Sequence, residues 1–140
     1  MSTVRHVARA VGRTGAAAPA YRVDIEAGGH RLVADEPVAA GGGDAGPPPF
    51  GLLLAALTAC TATTLRMYAE RKGWDLATIE VDARYDVPDD GPATITRTVV
   101  IPSAVAAEQR DRLAEIAERT PVTRAVRAGT PITTTFRAAG

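Results

Sequence analysis

The chain has 140 residues, 16 basic and 16 acidic, with 46% apolar and 4% aromatic side chains and a single cysteine. That length suits one domain with a real core over residues 1–140, while the zero net charge and scarce aromatics argue against nucleic acid or an anionic membrane as the main partner. One cysteine excludes an internal disulfide, and the N-terminal MSTVRHVARAV lacks the apolar stretch of a secretory signal, so the expected location is the reducing cytoplasm.

A first strand is expected over residues 3–11, then a small-residue loop over 12–20. Tyr21, Val23 and Ile25 alternate with Arg22, Asp24 and Glu26, the period of a half-buried strand. Gly28-Gly29 suits a tight hairpin turn, with His30 to Ala34 as the return strand. The glycine-rich loop DEPVAAGGGDAG, 35–46, leads into the stretch that dominates the chain, Pro47 to Trp74. Three prolines are compatible with the first turn of a helix and with nothing before it. From Phe50 to Leu65 no residue is charged. Arg66, Glu70, Arg71 and Lys72 then arrive together, and Gly73 is placed as a left-handed C-terminal cap. A helix apolar on every side is expected to be buried on every side. It is read as too short and too rich in threonine (Thr58, Thr61, Thr63, Thr64) to cross a bilayer, which takes roughly 20 mostly apolar residues.

Beyond it, Ile79, Val81, Ala83 and Tyr85 alternate with Glu80, Asp82 and Arg84 as the clearest strand. Pro88-Asp89-Asp90-Gly91 marks a turn, and Thr94 to Ile101 is its hairpin partner. Ser103 is placed as the cap of a second helix over 104–118, with Val105, Leu113, Ile116 and Ala117 on one face. Thr120 before Pro121 reads as a cap followed by proline at the first helical position. The short helix so begun reaches Arg127, with Gly129 behind it. Ile132, Thr134 and Phe136 suggest a last strand. Strands, buried helix, strands, helices and strand make an α+β pattern built on antiparallel hairpins.

Three segments, GGHRLVADEP (28–37), GGGDAGPPPFGLLLAALTACTATTLRMYAERKGW (41–74) and EQRDRLAEIAERTPVTRAV (108–126), resemble the OsmC/Ohr family, the osmotically inducible and organic hydroperoxide resistance proteins of bacteria. The resemblance implies an interlocked homodimer in which antiparallel sheets surround the long central helices. It also implies reduction of organic hydroperoxides by two cysteines, one on the central helix and one before a Pro-Val or Pro-Tyr, with an arginine and a glutamate keeping the first as thiolate. Cys60 matches the attacking position. The related enzymes take their arginine from the N-terminal half, where this chain has Arg22 and Arg31; Arg31 is the candidate, with Arg22 as the alternative. Three positions depart from the pattern: Gly51 where relatives have the glutamate, Thr120 where they have the second cysteine, and Thr123 where they commonly have histidine.

By itself, a lone mid-helix cysteine reads as a small core residue, and Arg22 and Arg31 as exposed strand charges. His6, His30 and Cys60 lack the spacing of a metal site. Gly41-Gly42-Gly43-Asp44 lacks the Lys-Ser/Thr of a phosphate loop. Gly-x-Ser-x-Gly is absent. No cofactor is expected. Two functions follow: a hydroperoxide reductase using Cys60 alone, recycled by an external thiol, or an inactive dimer of the same fold that binds a small apolar molecule.

Overall fold

The computed structural model describes residues 3–18 and 21–140. It divides into two compact units, Met1–Leu54 and Ala55–Gly140.

In the first unit, β1 (Ala10–Thr14), β2 (Val23–Ala27) and β3 (His30–Ala34) form an antiparallel sheet in the order β1-β2-β3. The β2–β3 turn is Gly28-Gly29, with φ of 56° and 81°, the pair of positive values that a two-residue hairpin requires. Register brings Ala27 opposite His30 and Glu26 opposite Arg31. The first strand is a correction. It starts at Ala10, because its pairing with β2 runs from Ala10↔Ala27 to Thr14↔Val23 and the hairpin turns away beyond Ala27. The end of the expected 12–20 loop, residues 19–20, lies outside the described residues.

The glycine-rich segment after β3 is ordered by Asp35, which is buried. Its carboxylate accepts the backbone N–H groups of Glu36 (2.8 Å), Ala45 (3.1 Å) and Gly43 (3.3 Å). Those bonds hold its pKa below the ordinary value, the one from Ala45 counting most. Two glycines are there because nothing larger fits: a Cβ on Gly42 would stand 2.0 Å from the Glu36 carbonyl oxygen, and one on Gly46 2.1 Å from that of Val33.

Helix α1 (Pro49–Lys72) starts within the proline run and carries Arg71 and Lys72 in its last turn. Gly73 closes it at φ 71°. Burial on every side does not hold within one chain. Leu57, Thr61, Leu65 and Ala69 are buried, a single line at four-residue spacing, whereas Ala55, Ala59, Thr63 and Met67 are exposed. The length is a second correction. At 24 residues and a mean hydropathy of 1.4 over its most apolar stretch, α1 is long and apolar enough to cross a membrane by length and composition, because the helix runs from Pro49 through the charged last turn, beyond the uncharged stretch at both ends.

In the second unit β4 (Glu80–Asp86) and β5 (Thr94–Val100) form an antiparallel pair. α2 (Ala107–Ala117) and α3 (Pro121–Ala128) follow. Ser103 does not cap α2. It lies in a turn closed by the Val105 N–H on the Pro102 carbonyl, and the Gln109 side chain accepts the Ala106 N–H instead. Leu65, Ala69, Leu76, Val105, Leu113 and Ala117 form the core, with Tyr68, Trp74, Ile79 and Val99 packed on it. The expected last strand is absent. Ile132 and Phe136 are 89% and 95% exposed, and among the described residues their alternating segment pairs with no strand.

Candidate active site around Cys60

Cys60 is a free, half-buried cysteine on α1. It is one residue from the buried Thr61 and so points about 100° away from the packed line. Its Sγ is 4.0 Å from the Thr64 hydroxyl, one turn on.

The polar centre of this unit lies on the neighbouring face. Arg97 sits on the inward side of β5, between Ile95 and Val99, and its side chain is 11% exposed. One terminal nitrogen donates to the Thr61 hydroxyl at 2.9 Å and to the Thr123 hydroxyl at 2.8 Å. The other donates to the Ala117 carbonyl at 2.9 Å, an acceptor that the C-terminal turn of α2 leaves without an intrahelical partner. The Thr61 hydroxyl in turn donates a hydrogen bond to the Leu57 carbonyl at 2.7 Å. Thr123 shares a 2.6 Å hydrogen bond with the Thr120 hydroxyl. One guanidinium thus ties α1, α2 and the start of α3 together. Glu118, 3.8 Å from Arg97, also pairs with Arg127 at 2.5 Å.

Thr120 is the N-cap of α3, its hydroxyl accepting the Thr123 N–H at 3.4 Å, with Pro121 at the first position. Both threonines are buried. Two of the three positions that depart from the two-cysteine pattern, Thr120 and Thr123, are therefore occupied by a hydrogen-bonded clasp with no redox chemistry of its own. Gly51 lies in the first turn of α1. A Cβ there would be 3.3 Å from Pro47 Cβ and 3.5 Å from Pro48 Cδ, so the proline run crowds the space where a glutamate side chain would begin.

Arg22 and Arg31 belong to the first unit, Cys60 to the second. Arg22 pairs with Asp24 at 3.0 Å. Arg31 is exposed and lines a shallow groove with Arg9 and Glu26. His6 and His30 are exposed. Among the described residues no three His, Cys, Asp or Glu side chains are grouped to hold a metal ion. The sequence reading missed Arg97. Its signal was parity: in a strand whose Ile95 and Val99 face inward, residue 97 faces inward too.

Two cavities flank Arg97. One, of about 480 Å³, is lined by Leu65, Val99, Ile101, Leu113 and Ala117 along with Arg97. The other, of about 460 Å³, is lined by Leu57, Tyr85, Ile95, Thr123 and Val126 together with Arg97.

The family model described as OsmC-like protein matches residues 41–135. Solved structures agree with the fold. An OsmC-like protein from Mycoplasma pneumoniae superposes with a TM-score of 0.68 at 16% identity, over 90% of this chain and 89% of its own. An organic hydroperoxide resistance protein from Elizabethkingia anophelis, with crystallant-derived thiocyanate bound, gives 0.68 at 19% identity over 91% of both chains. The organic hydroperoxide resistance protein OhrB of Bacillus subtilis gives 0.59 at 24% identity, over 87% of this chain and 91% of its own. No curated protein sequence matches the chain.

Proposed function

The chain belongs to the OsmC-like protein family, and from that premise we propose that it is a one-cysteine peroxidase reducing organic hydroperoxides through Cys60. The observation that carries this reading is the position of the chain's one thiol: on the central helix, half-buried, and turned off the packed line of Leu57, Thr61, Leu65 and Ala69. The names of the structural neighbours, hydroperoxide resistance proteins among them, support the reaction class.

The thiolate sulfur attacks one peroxide oxygen, the O–O bond breaks and the alcohol leaves with a proton, so that Cys60 becomes a sulfenic acid. No other cysteine exists in the chain. An external thiol condenses with the sulfenic acid, releasing water and forming a mixed disulfide. A second thiol displaces Cys60 and leaves as the disulfide. Arg31 is assigned the role of favouring the thiolate, since Arg22 is engaged by Asp24.

The protein works as a homodimer in the bacterial cytoplasm. A second copy, rather than lipid, covers the exposed side of α1. Arg97 bonds to Thr61 near the middle of that helix, and a cation at that depth is costly in a bilayer.

Stopped-flow oxidation by cumene hydroperoxide and by hydrogen peroxide, with Cys60→Ser as control, tests the assignment. Fast Cys60-dependent turnover favouring the organic peroxide is expected. A rate no better than that of a free thiol overturns it. The cavity of about 480 Å³, whose aliphatic wall of Leu65, Val99, Ile101 and Leu113 is met by Arg97, Arg110 and Glu118, supports a second reading, an inactive dimer binding a small, largely apolar molecule. Thermal shifts with apolar compounds, alongside an inert Cys60, are its signature.

A further inference from the structure

We propose that the groove where α1 meets α2 and α3 docks the external thiol that recycles Cys60, and that this thiol is an anion carrying at least one carboxylate. The inference rests on the peroxidase reading, because it names the partner of the same site. The groove holds about 300 Å³ and lies entirely within the second unit. Thr64, whose hydroxyl is 4.0 Å from Cys60 Sγ, is one of its walls. Met67, Tyr68 and Ile116 supply apolar surface, Met67 from the exposed side of α1, and Arg71, Arg119 and Arg124 supply the charge.

No carboxylate lines the groove. Arg71 and Arg124 form no ion pair among the described residues. Arg119 reaches only Glu115, at 3.7 Å, and that carboxylate is held closer by Arg112, at 2.7 Å. Arg112 and Lys72 stand 5.5 and 5.7 Å from the centre of the Tyr68 ring, Arg112 also donating to the Tyr68 hydroxyl at 2.9 Å. Arg124 also stands in the first turn of α3, which contains no acidic residue. A cation there opposes the helix dipole unless an anion lies between them. Three lining arginines, with one carboxylate nearby that Arg112 already holds, make an anion-attracting wall one hydroxyl away from the reacting sulfur. The chemistry is that of the second half-reaction. The incoming thiol forms the S–S bond to Cys60 and water leaves with the sulfenic oxygen, while the carboxylate stays on the arginines.

The test separates the half-reactions. Cys60 is first oxidised with one equivalent of cumene hydroperoxide. The oxidised protein is then mixed with glutathione, which carries two carboxylates, or with glutathione diethyl ester, at matched thiolate concentration. Return of the free thiol is expected to be on the order of tenfold faster with glutathione at low salt, the advantage shrinking as salt screens it. In an Arg71→Gln/Arg124→Gln variant the two thiols are expected to converge. Equal rates in the unmodified protein, or a preference that survives the double substitution, overturn the proposal while leaving the peroxidase reading intact. Should Cys60 fail to take up hydroperoxide, disulfide exchange of reduced Cys60 with dianionic 5,5′-dithiobis(2-nitrobenzoate) against neutral dithiodipyridine reads the same groove. Absence of an Arg71- and Arg124-dependent preference for the anion there overturns it.

Discussion

Replacing Arg97 by methionine keeps much of the side-chain volume and removes the guanidinium. Three hydrogen bonds disappear with it, to Thr61, Thr123 and Ala117. Bonds to a charged group contribute roughly 1.5–3 kcal/mol each. Against that, the variant no longer desolvates a cation in a site that leaves the side chain 11% exposed, and burying a charge offsets much of what its bonds contribute. The two threonines keep other partners, Thr61 the Leu57 carbonyl and Thr123 the Thr120 hydroxyl. The Ala117 carbonyl loses its side-chain donor. The ion pair to Glu118 adds little, since that carboxylate is 60% exposed. A net destabilisation of about 3 kcal/mol follows, towards the lower end of what breaking a buried charged network costs. Urea unfolding of both proteins at one fixed concentration measures it, as a fall in midpoint with unchanged slope. The cycle with Thr61→Val isolates the Arg97–Thr61 bond, with an expected coupling of about 1 kcal/mol. A loss under ~1 kcal/mol, or no coupling, would refute the view that this guanidinium joins the three helices.

Asp35 supplies a pH signature. Its folded pKa lies below the ordinary 3.8, so its contribution is fully present above that value and is lost as pH falls through the folded pKa. Asp35→Asn is expected to be less stable at neutral pH, with the gap closing under acid; a gap constant from pH 7 to pH 2 would contradict the hydrogen-bond assignment. Gly42→Ala and Gly46→Ala are each expected to cost about 2 kcal/mol or more, since a methyl group meets a backbone carbonyl. Gly15→Ala, with open space around it, is the neutral comparison in the same thermal melt.

Much of this molecule was legible in one dimension because its devices are local. Gly28-Gly29 dictates a hairpin whose return strand is His30–Ala34. The proline run, the uncharged stretch and Gly73 bound α1, and Thr120-Pro121 starts α3; in each case the determining groups are neighbours in sequence. Cys60, and the absence of any second thiol, were equally visible. What sequence could not supply is what lies across space. The ends of β1 are set by the length of β2. The 132–136 segment alternates like a strand but pairs with none among the described residues. Above all, periodicity could not say what sits opposite Thr61, Thr120 and Thr123. A charged residue among β-branched neighbours reads as a surface position until the strand is docked. Parity puts Arg97 on the face of Ile95 and Val99, but only packing shows what meets it there: the hydroxyls of α1 and α3 and the open carbonyl of α2 converge on it, because an interior with little water makes one guanidinium the shared partner of groups far apart in the chain.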